Sequence, residues 1–169
     1  PTRKQRILSS VWGRLAYFAE FGPAEGPAVI IEAQPIDSHL EYPKSLPPDS
    51  AEELDRLRDD GHKVTGGRGG RAWFVESTPT STRNTQLYRT LPHEVGHLVH
   101  HEQEVRLAAA GDLARESRLR DRYFSRPQRE REDFAHRYAR EFCERMFASG
   151  RLPFDQMADV GRMRRLGWS

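Results

Sequence analysis

Leu91-Pro92-His93-Glu94-Val95-Gly96-His97-Leu98-Val99-His100 is the stretch on which the reading of this chain turns. Leu91, Val95, Leu98 and Val99 give it an apolar setting. Two histidines four apart on a helix point the same way, with Cα atoms about 6 Å apart, so both imidazoles can reach one tetrahedral zinc. Glu94 follows the first of them and is rotated off the ligand direction. There it can take a proton from a water on the metal without filling a coordination position. The spacing therefore predicts His93 and His97 as ligands of one zinc ion per chain and Glu94 as catalytic base. A purely structural zinc site has no need of that glutamate, which favours an enzyme. Gly96 costs about 1 kcal/mol inside a helix, so it predicts close approach by another backbone. Pro92 fits only a first helical turn, which starts the active-site helix (about 90–103) near Leu91 with Thr90 as N-cap.

A catalytic zinc wants a third protein ligand. His101 lies about 12 Å from His93 on a straight helix; His100 reads as support for a ligand or as surface, and a histidine-rich helix surface including His101 is the competing reading. The metzincin pattern needs a glycine at position 100 and a histidine at 103; His100 and Gln103 exclude it. Glu132 is the better candidate. It heads an otherwise apolar helical face carrying Ala135, Ala139, Phe142, Cys143 and Met146, and a carboxylate there must meet something positive. Glu130, Asp133 and His136 are the alternatives, and a helix-terminal role for Glu132 is the competing explanation. His136, one turn on, could instead hydrogen-bond a ligand. Cys143 sits mid-face and reads as core.

The 93–101 stretch, together with Glu132-Asp133-Phe134-Ala135-His136-Arg137-Tyr138-Ala139, resembles the gluzincin metallopeptidases. It is most similar to the small ImmA/IrrE-like zincins and the catalytic domain of anthrax lethal factor. The likeness covers roughly residues 71–147. It implies His93, His97 and Glu132 as zinc ligands and Glu94 as general base and acid. It also implies an edge strand, Arg71–Glu76, along which a protein or peptide substrate pairs. The chain departs from the thermolysin-like pattern in having His136 where an aspartate often follows the ligand glutamate. No position matches a transition-state-stabilising residue, although Tyr123 and Tyr138 are candidates. The activity implied is peptide-bond hydrolysis. A zincin-like regulatory module without turnover, or an effector protease domain cut from a longer chain, is the alternative.

Outward from the motif, Ile7, Leu8, Val11, Trp12, Leu15 and Phe18 recur at helical spacing and predict an N-terminal helix over about 3–21. Ala28–Ala33 and Arg71–Glu76 read as strands. Ser50 opens a short helix through Arg58, with Glu53 completing a capping box. Gly66–Gly70 lacks the Lys-Ser/Thr of a phosphate-binding loop and precedes a strand, so it reads as a hairpin turn. Thr78–Thr85 reads as a polar linker, and helices fill most of 104–169. The expectation is one α+β domain over 1–169: a small zincin-like fold with a short antiparallel or mixed sheet, an HExxH helix and a C-terminal helical subdomain.

Composition narrows the class. Basic and acidic residues number 27 and 25, and 24 of the former are arginine. Charges of both signs alternate along the chain, which reads as solvated helix surface instead of a nucleic-acid interface. One cysteine makes no internal disulfide, and no apolar run reaches the roughly 20 residues of a membrane span. The chain begins at Pro1 with no signal-peptide core. A cytoplasmic protein is expected, or a domain excised from a larger or secreted one.

Overall fold

Mixed α+β architecture is what a computed structural model of the chain shows over its described residues, 12–34, 39–46, 48–66, 72–154, 161 and 165. Its strands form two antiparallel sheets. In the first, β1 (Gly13–Phe21) pairs with β2 (Ala24–Ile31), and the chain turns at Gly22, whose φ of 61° suits a residue without Cβ. The helix expected over 3–21 is therefore a strand from Gly13 onward, and residues 1–11 lie outside the described set. The cause is a bulge. Ala16 pairs with Ala28 and Ala19 with Gly26, so Tyr17 and Phe18 together oppose Pro27, which has no N–H for the ladder. The extra residue converts strand alternation into the three-residue step from Leu15 to Phe18, which mimics a helix.

The second sheet has the order β3-β5-β4, from His39–Pro43, Ala72–Glu76 and Lys63–Gly66. The strand expected to offer a free edge at Arg71–Glu76 is thus the central one. Val75 pairs with Leu40 on one side and Val64 on the other, and no backbone donors remain for a substrate there. The glycine turn, residues 67–71, falls outside the described residues, but the strands flanking it are antiparallel as a hairpin requires. Helix α1 (Pro48–Asp59) begins two residues before Ser50. Glu53 makes no capping box, because its carboxylate holds Arg56 and Arg89. Trp12, Leu54, Leu57 and Val75 form the buried core between α1 and this sheet. Full burial of Leu57 and Val75 contributes about 1.5–3 kcal/mol each.

The stretch read as a linker is helical. Thr78 accepts a hydrogen bond from the Ser81 backbone N–H at 3.1 Å, and the Ser81 hydroxyl accepts from the Thr78 N–H at 2.9 Å. This capping box opens α2 (Pro79–Arg83). The helix passes without interruption through a π-helical segment, Asn84–Thr90, into α3 (Leu91–His101) and a second π segment, Glu102–Leu107. The α-helical segment starts at Leu91 as expected, but Thr90 is itself helical with no side-chain cap, so it continues the preceding helix instead of capping a new one. Pro92 is accommodated by the π turn instead: the Leu91 N–H donates to the Gln86 carbonyl five residues back. Pro92 has no N–H for the Tyr88 carbonyl, and the Cys143 thiol donates to that oxygen at 3.0 Å. After a turn at Ala110 and Gly111 come α4 (Leu113–Ser125), capped by Asp112, and α5 (Gln128–Ala148) behind Pro127.

Candidate metal centre

The close approach that Gly96 predicts is present. A Cβ on Gly96 would lie 3.0 Å from the Ala135 Cα and 3.1 Å from its carbonyl oxygen. Glycine on α3 against alanine on α5 lets the two backbones touch, and Ala135 and Ala139 are buried in the seam. Glu132 is one turn before Ala135. The tight crossing brings its carboxylate over the face of α3 that carries His93 and His97.

Three polar atoms meet there. Glu132 Oε2 is 3.2 Å from His93 Nε2 and 3.5 Å from His97 Nε2, and the two nitrogens are 3.1 Å apart. Ligand atoms about 2.0–2.1 Å from a tetrahedral zinc are separated by about 3.3–3.4 Å, so the triangle has the dimensions such an ion requires. The second Glu132 oxygen accepts from the Gln128 amide at 3.2 Å, which holds Oε2 toward the histidines. The imidazole hydrogen bonds, from His93 first and then His97, keep the Glu132 carboxyl well below the usual carboxylate range. Glu132 lies beyond the first turn of α5, so the helix-terminal explanation of this residue has no geometric basis.

His136 is placed beside the triangle, its ring centroid 4.4 Å from that of His93. His93, Glu132 and His136 also offer ligand atoms within 4.8 Å of one another. Both sets supply two imidazole nitrogens and one carboxylate oxygen, and the set with His97 is the tighter, at 3.1–3.5 Å. Burial, with His93 next, lowers the His136 pKa. Glu130 and Asp133 are exposed and border a separate cavity with Arg126 and Arg137, away from the triangle. The His93 Nδ1 is buried without a partner, whereas a ligand histidine ordinarily donates its other N–H.

Glu94 lines the same cleft as His93, Glu132 and His136, a space of about 500 Å³. Trp12 and Gly13 close it from the start of β1. Among the described residues β1 has only β2 as strand partner.

Other expectations fall elsewhere. His100 and His101 are neither ligands nor surface but buried rings. His100 stacks on Phe134 with centroids 4.1 Å apart, and His101 packs against Tyr17 and Tyr123. Burial lowers the pKa of both. Tyr123 is buried with its hydroxyl 3.5 Å from His100 Nδ1 and from the Tyr17 hydroxyl, and Tyr138 borders an apolar groove on the far side of α3. Neither lines the cleft; the tyrosine that does is Tyr88. Cys143 is half-buried and borders the cleft, and burial raises its thiol pKa.

One arrangement has no signal in the sequence. Ser77 Oγ meets His62 Nδ1 at 3.1 Å, and His62 Nε2 meets Thr85 Oγ1 at 2.9 Å. Thr85 donates to Asp60 at 2.7 Å. Asp60 also accepts from Arg89 Nε at 2.6 Å, while both terminal nitrogens of Arg89 donate to Glu53 at 3.0 Å. The network ties the π segment just before the histidines to α1 and the second sheet. Its members come from four separated stretches of chain, so only folding brings them together. Compared with protein-family models, curated proteins and solved structures, the chain matches none.

Proposed function

We propose that this chain is a zinc-dependent metallopeptidase of the zincin type, with His93, His97 and Glu132 as ligands and Glu94 as general base. The observation that carries the reading is the 3.1–3.5 Å triangle of two imidazole nitrogens and one carboxylate oxygen, with an additional glutamate in the same cleft. A zinc ion held by these residues would supply Lewis acidity toward a carbonyl and lower the pKa of a water. Glu94, next in sequence to His93 and lining the same cleft, would take a proton from a water held there and return it to the leaving amine. Gln128 fixes the orientation of Glu132, and the Gly96–Ala135 contact fixes its distance. The substrate backbone adds to β1, whose Gly13 borders the cleft beside Trp12, because strand addition supplies affinity without dictating sequence.

Elemental analysis of purified protein tests the centre, with one zinc per chain expected. Glu132→Ala loses zinc affinity by orders of magnitude, while Glu130→Ala and Asp133→Ala keep it. Glu94→Gln retains zinc and fold but no longer cleaves a mixed-sequence peptide library read by mass spectrometry. Protein that takes up no zinc would overturn the proposal. Zinc-loaded protein that cleaves nothing in the library or in a whole-proteome digest would leave a binding module in place of the enzyme.

A further inference from the structure

The charged groups that line the cleft are almost all engaged. Arg89 is saturated by Glu53 and Asp60, Glu53 also holds Arg56, and Glu132 faces the two histidines. Glu94 is needed for proton transfer. Arg140 is the exception: it lines the same cleft, is exposed, and makes no ion pair among the described residues. Glu144 stands one turn further along α5, where an Arg–Glu pair is ordinarily made, yet none forms. Arg140 lies eight residues after Glu132 on the same helix, about 12 Å along its axis. An extended peptide covers that distance in three to four residues at about 3.3 Å each.

Resting on the peptidase reading above, we infer that Arg140 is a specificity determinant that binds a substrate carboxylate three to four residues from the scissile bond. A guanidinium with free N–H groups offers a planar fork that matches a carboxylate, and the Glu53 and Asp60 carboxylates of the same cleft are held by Arg89. The carboxylate comes from an acidic side chain or from a peptide C-terminus, since both present the same two oxygens.

Peptide hydroxamates test this without requiring turnover. Tetrapeptides anchored at the zinc by the hydroxamate carry Glu or Gln at the residue three from it, each with a free or an amidated C-terminus. Binding to the zinc-loaded protein is measured by calorimetry. Wild type should prefer the acidic ligand by about tenfold, the worth of one charge-assisted hydrogen bond. The comparison of free with amidated ends tells which source of carboxylate is read. Arg140→Gln should erase the preference, and Arg140→Glu should invert it toward a Lys-containing ligand, with zinc content unchanged in both. Equal binding of all four ligands by wild type, or an acidic preference that survives in Arg140→Gln, overturns the subsite and leaves the peptidase reading intact. Zinc-loaded protein that binds no hydroxamate at all overturns both.

Discussion

Replacing Gly96 with alanine is the smallest change that probes how the site is assembled. In an isolated helix the substitution would stabilise by about 1 kcal/mol. Here the new methyl would sit 3.0 Å from the Ala135 Cα, 3.1 Å from its carbonyl oxygen and 3.2 Å from the Tyr138 Cβ. Two of those neighbours are backbone, so no flexible side chain can swing away. The helices must part by roughly 0.5 Å to restore van der Waals spacing, and overpacking of this kind costs about 1–3 kcal/mol. The net effect expected is a loss of about 1 kcal/mol, near 2–4 °C in Tm for a chain of this size. The functional effect should be larger. Glu132 rides on the helix that moves, and its 3.2 and 3.5 Å separations from His93 and His97 widen with it. Zinc affinity, measured by competition with a chromophoric chelator, should fall about ten- to hundredfold, the range seen when ligand support is disturbed. A Gly96→Ala protein that melts higher than wild type and binds zinc equally well would refute the claim that this contact sets the ligand geometry.

Arg89→Met removes the cation that Glu53 and Asp60 share, leaving part-buried Asp60 without an ion-pair partner among the described residues and Glu53 with Arg56 alone. Chemical denaturation with zinc chelated should show a loss of about 3 kcal/mol, and a loss under 1 kcal/mol would mean that the network contributes little. The second expectation concerns pH. His62, His100 and His101 have pKa values lowered by burial, so each is neutral in the folded chain at pH values where the unfolded chain protonates it. Their stabilisation is complete above the unfolded value of about 6.5 and is lost as pH falls below it, by up to about 1.4 kcal/mol per pH unit for each. Melts of metal-free protein between pH 7.5 and 5 should fall accordingly. His100→Phe, which keeps a ring against Phe134, should flatten the decline, and an unchanged slope in that variant would count against His100 as a contributor.

The meeting of His93, His97 and Glu132 is legible in the sequence because each residue rests on local helix geometry or on one anomaly in a pattern. His93 and His97 follow from a four-residue step. Glu132 stands out as a carboxylate on an apolar face, and Gly96 as a glycine in a helix. What escapes the sequence is governed by partners distant along the chain. The β1 strand mimics a helix because the bulge opposite Pro27 breaks its alternation. The 78–85 stretch resembles a linker because its serines and threonines serve a cap and a buried network that involve Asp60 and His62. Arg71–Glu76 carries a correct strand signal, but whether a strand is central or at an edge depends on neighbours such as His39–Pro43, which periodicity does not report. His100 and His101 read as solvent-facing because the aromatic rings that bury them, Tyr17, Tyr123 and Phe134, come from three other elements.

The π segment Asn84–Thr90 has a bearing on angular phase. A π turn amounts to one extra residue in an α-helix, and each residue of an α-helix advances about 100° around the axis. The residues before and after the segment therefore belong to two screw phases on one rod. At its first turn Thr85 is aimed at Asp60, and downstream His93 and His97 are aimed at Glu132. Deleting a single residue between Thr85 and Arg89 would leave a continuous helix and the His93–His97 spacing intact. It would also turn one group by about 100° relative to the other, so that anchor and ligands could no longer both face their partners.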